Sequence, residues 1–174
     1  MAYLKQTEKT NNFLEVLVRD HRRYMPIMEY LDNLTQQESE LSWQERERIA
    51  LEVSKANGAE FCMGIHRGVL RAFESQEIGI GEDSMKPILA FVNKLVKASS
   101  HITKEDIEAV KKGGWSDQTV EDIIGLVSAI TIYDILANGF GFKASLPKEV
   151  FEEMGKGTIK AGGFVAQFRS FIKQ

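Results

Sequence analysis

From Val120 to Leu136 apolar residues fall on nearly every face of the helix that the segment favours. A helix with no polar side cannot lie along a wetted surface, so it must be enclosed within the chain or covered at an interface. Other helices have to supply that cover, because no stretch of the sequence alternates with a period of two for long enough to build a sheet. With 174 residues, 43% of them hydrophobic, the chain can bury one sizeable core and hardly two. A single all-α domain spanning residues 1–174 is the expectation, with at least six helices joined by short loops.

Start and stop signals divide the rest. Asn11 to Leu34 carries apolar residues at three- and four-residue steps, and Pro26 predicts a break that makes two short helices of it. Ser42 with Glu45 three residues on reads as a capping box, and the helix it opens ends at Asn57-Gly58. A second helix follows from about Ala59 to Phe73 and dies out in the loop Ile78-Gly79-Ile80-Gly81. Ser84 is expected to cap the next, with Pro87 in its first turn, and the pattern fades near Ser99-Ser100. Thr103 and Asp106 open a short helix that stops at Gly113-Gly114, and Ser116 begins the long apolar one. Pro147 starts a further helix that should end at Gly155 and Gly157, while Val165 to Ile172 is ambiguous and compatible with helix.

Charge and cysteine content exclude several classes. The 22 basic and 25 acidic residues leave a net charge of −3, which gives no electrostatic footprint for nucleic acid. Met1 to Asn12 is polar, without the apolar centre of a signal peptide. The longest uncharged apolar stretch, Ile123 to Tyr133, is shorter than the roughly 20 residues that cross a bilayer, so a soluble, cytoplasmic protein with no membrane partner is expected. Cys62 is the only cysteine, and His21, His66 and His101 are the only histidines, so neither an intrachain disulfide nor an all-protein zinc site is available. No metal and no cofactor are expected.

One constellation carries chemistry. Cys62 and His66 lie four residues apart, one turn along a single helix face, with Cys62 in the first turn after the Asn57-Gly58 break. Amides at a helix start stabilise a thiolate and a neighbouring imidazole can take its proton, so the thiol is expected to ionise below its ordinary value of about 8.5. Glu60 opposes this if it faces the same way. A helix hairpin turning at Asn57-Gly58 brings Glu47 beside His66, where its carboxylate would orient the ring. The alternative is structural: Cys62, His66, Val69 and Phe73 form one stripe that can serve simply as core. His21 sits in a basic run, His101 in a loop beside two serines, and Gly79-x-Gly81 lacks the preceding strand of a phosphate loop. Met25, Met28, Met63 and Met85 read as core filler.

The segment from Leu41 to Ala50, followed by Asn57 to His66, resembles the signature region of the carboxymuconolactone decarboxylase and alkylhydroperoxidase D family. The peroxidase branch of that family carries a glutamate, eleven residues, then Cys-x-x-Cys-x-x-x-His. Glu47, Cys62 and His66 match the glutamate, the second cysteine and the histidine, whereas Ala59 stands at the first cysteine. The N-terminal helical arm and the Gly114-Trp115-Ser116-Asp117 entry to the long apolar helix are also similar to the family.

The resemblance implies a helical fold built from antiparallel hairpins and assembled as a trimer or hexamer. It also implies antioxidant reduction of alkyl hydroperoxides, with glutamate and histidine relaying protons for the thiol. With one cysteine the dithiol cycle cannot run, so the expected enzyme is a single-cysteine peroxidase with Cys62 as nucleophile, His66 as base, Glu47 as orienter and an external thiol as reductant. Two alternatives stand beside it. One is a decarboxylase-type enzyme acting on a small lactone acid, in which His66 and Glu47 do the work and Arg67 or Arg71 anchors the carboxylate. The other is a non-catalytic helical oligomer that has lost the redox cycle.

Overall fold

The computed structural model describes residues 3–74, 82–143 and 146–172. Among these residues the chain forms nine α-helices and no strand, so the all-α expectation holds. They are α1 (Phe13–Arg19), α2 (His21–Gln36), α3 (Trp43–Ala56), α4 (Glu60–Glu74), α5 (Glu82–Ala98), α6 (Lys104–Lys112), α7 (Asp117–Phe140), α8 (Lys148–Ala161) and α9 (Phe164–Ile172).

The α3–α4 hairpin is held at both of its turns by local chemistry. Ser42 Oγ accepts from the Glu45 amide at 3.3 Å, and Glu45 Oε2 accepts from the Ser42 amide at 2.8 Å, so two unpaired donors of the first turn are satisfied reciprocally. At the far end the Gly58 amide reaches Lys55 O at 3.1 Å and the Ala59 amide reaches Ser54 O at 2.9 Å, closing a Schellman turn. Gly58 has φ of 63°, a conformation that a side chain would strain. The chain then reverses directly into α4, and α3 packs on α4, α5 and α7.

The tightest helix pair is α4 against α8. A Cβ on Gly68 would lie 2.1 Å from the Phe151 carbonyl oxygen, and one on Gly155 would lie 2.3 Å from the Gly68 carbonyl carbon. The backbones therefore touch, which only glycine on both sides permits. This contact overrides the helix-stopping tendency of Gly155 and Gly157: α8 continues to Ala161 and ends at Gly162, whose φ is 83°.

Two other boundaries differ from the expectation. The first two helices part at Asp20, with φ −118° and ψ 46°, and exposed Pro26 is carried inside α2. Helix α5 begins at Glu82, so Ser84 lies within it and its carbonyl accepts from Trp115 Nε1 at 3.0 Å. The segment Val165 to Ile172 is helical, as the greater part of α9. The loop Ile78 to Gly81 lies outside the described residues.

Helix α7 departs from enclosure on all sides. Ile123, Val127, Ile130 and Ala137 are buried, but Ile124 and Ile135 stand 40% and 64% exposed in the single chain. At 24 residues it is long and apolar enough to cross a bilayer by length and composition, which the uncharged stretch alone did not indicate. It packs against α2, α3 and α5, and its one charged residue beyond Asp122, Asp134, is fully buried.

Candidate active site

The hairpin sets Glu47 of α3 against His66 of α4, with His66 Nδ1 and Glu47 Oε2 2.8 Å apart. Trp43, one turn before Glu47 on the same helix, donates from Nε1 to Glu47 Oε1 at 3.3 Å. Trp43 is in turn held edge-on by Phe73, with ring centroids 5.2 Å apart. A carboxylate at Nδ1 places the proton of the neutral ring there, which leaves Nε2 as the atom that can take or give a proton. Both side chains are about one-seventh exposed, 14% for His66 and 15% for Glu47, so the pair is shielded but reachable.

Cys62 lies in the first turn of α4, where the sequence placed it, but its electrostatic surroundings are the opposite of those expected. The residue is 6% exposed, and its thiol is within hydrogen-bonding reach of the Asp134 carboxylate on α7. Burial, and after it the negative charge of Asp134, raise the thiol well above the ordinary cysteine range. The expected low thiol pKa is therefore corrected: the third residue of the helix gains less from the amides at its start than it loses to burial and to a facing carboxylate. Glu60 is exposed and takes no part in this shift.

Asp134 is itself fully buried and tethered. Ser54 Oγ donates to its Oδ1 at 2.9 Å, and Asn57 Nδ2 donates to its Oδ2 at 2.9 Å. Burial raises its carboxyl above the usual range, and the donors from Asn57, Ser54 and Cys62 oppose that rise. Asn57 thus both caps α3 and fixes the carboxylate that faces the thiol.

Glu47, Cys62 and His66 share the wall of one cavity of about 270 Å³, lined by apolar side chains that include Phe61, Ile130 and Phe164. The structure thus brings together all three residues singled out from the sequence. It does not bring in Arg67, which is exposed, or Arg71, which pairs with Glu152 at 3.0 Å; neither lines the cavity. His21, whose Nδ1 lies 3.3 Å from Val18 O, and exposed His101 are likewise elsewhere. Gly79-x-Gly81 lies outside the described residues.

Sequence reasoning missed three residues here. Asp134 had a visible signal, as a lone acid in an otherwise uncharged run from Ile123 to Gly141. Trp43 had a weaker one, its place four residues before Glu47 on a helix. Arg46, which also lines the cavity, had none, because a single arginine beside two glutamates reads as helix surface.

A glutamate–histidine pair and a cysteine thus stand together on one helix hairpin in an all-α bundle. The sequence model of the carboxymuconolactone decarboxylase family matches residues 24–78. A crystal structure of an uncharacterized peroxidase-related protein from Ralstonia eutropha JMP134, described as an alkylhydroperoxidase AhpD core, is similar with a TM-score of 0.69. That likeness has 25% identity and covers 81% of this chain and 78% of the other. An uncharacterized peroxidase-related protein from Silicibacter sp. TM1040 is similar with a TM-score of 0.68 and 22% identity over 84% and 82% of the two chains. No curated protein gives a significant match. The recognition read from the motif therefore stands: the chain carries a carboxymuconolactone decarboxylase family segment in an AhpD-like fold.

Proposed function

We propose that the cavity is the site of a single-cysteine peroxidase in which His66 and Glu47 manage the proton that the Cys62 thiol must lose. The observation that supports this reading is the shared wall: nucleophile, base and orienting carboxylate line one cavity of small-molecule size. As a hydroperoxide arrives, the thiol proton leaves and sulfur attacks the terminal peroxide oxygen. An S–O bond forms, the O–O bond breaks, and the leaving alkoxide takes a proton through His66 Nε2. The peroxide is reduced to an alcohol and Cys62 is oxidised to a sulfenic acid. One external thiol then displaces water to give a mixed disulfide, and a second releases Cys62 as thiol with formation of the small-molecule disulfide. Because burial and Asp134 hold the thiol protonated, deprotonation is the costly step and His66 is its agent.

A second reading is favoured by that same protonation. If Cys62 stays a thiol throughout, His66 and Glu47 remain as an acid–base pair suited to a decarboxylase-type reaction on a small lactone acid. Peroxide consumption in the presence of a monothiol, lost in Cys62→Ser, supports the first reading. Lactone-acid turnover that survives Cys62→Ser supports the second. Absence of both activities leaves the non-catalytic oligomer, for which Ala59 is the sequence support. A cytoplasmic homo-trimer or hexamer is the proposed setting, and the exposed Ile124 and Ile135 on α7 supply the reason for assembly.

A further inference from the structure

Arg46 is unusual among the cations of this chain. It lies half-buried on α3, next to Glu47, and lines the same cavity. Its Nη2 donates to Gln37 O at 3.0 Å and its Nη1 to Thr35 O, so the guanidinium closes the carboxyl end of α2. Among the described residues no carboxylate lies within ion-pair distance of it. Asp122 acts on it only from farther away, and is itself engaged by Ser39 Oγ at 2.6 Å and Gln118 Nε2 at 3.1 Å. The other charge on the cavity wall, Glu47, is already taken up by His66 and Trp43. The wall thus carries one cation with no carboxylate in ion-pair contact, in surroundings that are otherwise largely apolar.

A guanidinium has five N–H donors and only two are accounted for, which leaves donors for a planar anion. A partly desolvated cation without a counterion is costly, and a carboxylate is the planar anion that matches it best. The cavity, at about 270 Å³, is of small-molecule size. We infer that the cavity takes a monocarboxylate with an apolar body of about that size, its carboxylate held at Arg46 and its body directed along the apolar wall. Resting on the peroxidase reading, the inference names the substrate class as a hydroperoxide that carries a carboxylate, with Arg46 as the group that selects it.

Isothermal titration of the whole protein with octanoate, against 1-octanol as the neutral match, tests this apart from turnover. Octanoate should bind at least about tenfold tighter than octanol, Arg46→Gln should erase the difference, and Arg46→Lys should keep part of it. Equal affinities in the native protein, no binding of octanoate up to millimolar concentration, or a preference that survives Arg46→Gln would overturn the inference. Because Arg46 also closes α2, the native protein offers a readout without any variant: the Arg46 Nε–H resonance should shift with octanoate and stay in place with octanol. If it fails to shift, the anchor is elsewhere. Octanoate refused by a protein that still consumes peroxide removes only this inference, whereas octanoate held at Arg46 beside a Cys62 inert to peroxide removes only the peroxidase reading.

Discussion

The thiol of Cys62 on α4 lies within hydrogen-bonding reach of the Asp134 carboxylate on α7, a partner that the sequence spacing leading to His66 does not indicate. A cysteine one turn from a histidine invites the expectation of a thiolate–imidazolium pair, yet burial, and after it a carboxylate 72 positions away, raises the proton affinity of this sulfur.

The titration of Cys62 follows from that contact. Alkylation rate against pH should inflect well above the ordinary value of about 8.5, and Asp134→Asn should move the inflection down by removing the facing charge while burial remains. Since the folded thiol holds its proton more tightly than the unfolded one, the associated stability is complete below about pH 8.5. It is lost as pH rises through the folded value, and Cys62→Ala should flatten that alkaline loss. An inflection at or below the ordinary value, or one that ignores Asp134→Asn, would contradict the assignment.

Much of the fold was legible because its signals are local. The Ser42–Glu45 box, the Asn57-Gly58 stop and the Ser116 start each depend on side chains within a few residues of the backbone they satisfy. The errors share the opposite cause. Gly155 reads as a stop until the Gly68 backbone is brought against it, and Pro26 reads as a break although α2 carries it in its interior. In the site, Glu47 and His66 were found because one hairpin carries both. Asp134 and Arg46 were not, because their roles come from α7 crossing α3 and from the end of α2, which no spacing encodes.

The α4–α8 contact gives a stability prediction with an internal control. Gly68→Ala should cost at least about 1–3 kcal/mol, since its Cβ would meet backbone that cannot turn aside. Gly139→Ala, near the end of α7 with open space around it, should be neutral or stabilising by up to about 1 kcal/mol. Denaturant midpoints of the two variants check this, and equal effects would deny the close approach.

Proton management gives a kinetic one. His66→Ala should lower kcat/KM for hydroperoxide by about 10²–10⁴, and Glu47→Gln by less, because the glutamine keeps a polar partner at Nδ1 but not the charge that stabilises imidazolium. Trp43→Phe should reproduce a milder form of the Glu47 defect by freeing its carboxylate. A His66→Ala protein with undiminished turnover would remove the dyad from the mechanism.

Assembly is the last expectation. Light scattering at micromolar concentration should report a trimer or a multiple of it, and Ile135→Lys should shift it toward monomer by placing charge on the exposed apolar face of α7. A native monomer would show that this face needs no cover.

The Schellman turn at Asn57, Gly58 and Ala59 acts as a ruler for the chemistry. Each residue of an α-helix advances the direction of its side chain by about 100°, so one residue inserted in α4 between its start and His66, and taken into the helix, would swing His66 a quarter-turn or more from Glu47. The two residues are tied by chain length before they are tied by hydrogen bonding. A change in the count of residues between them separates the pair even where every original side chain is kept.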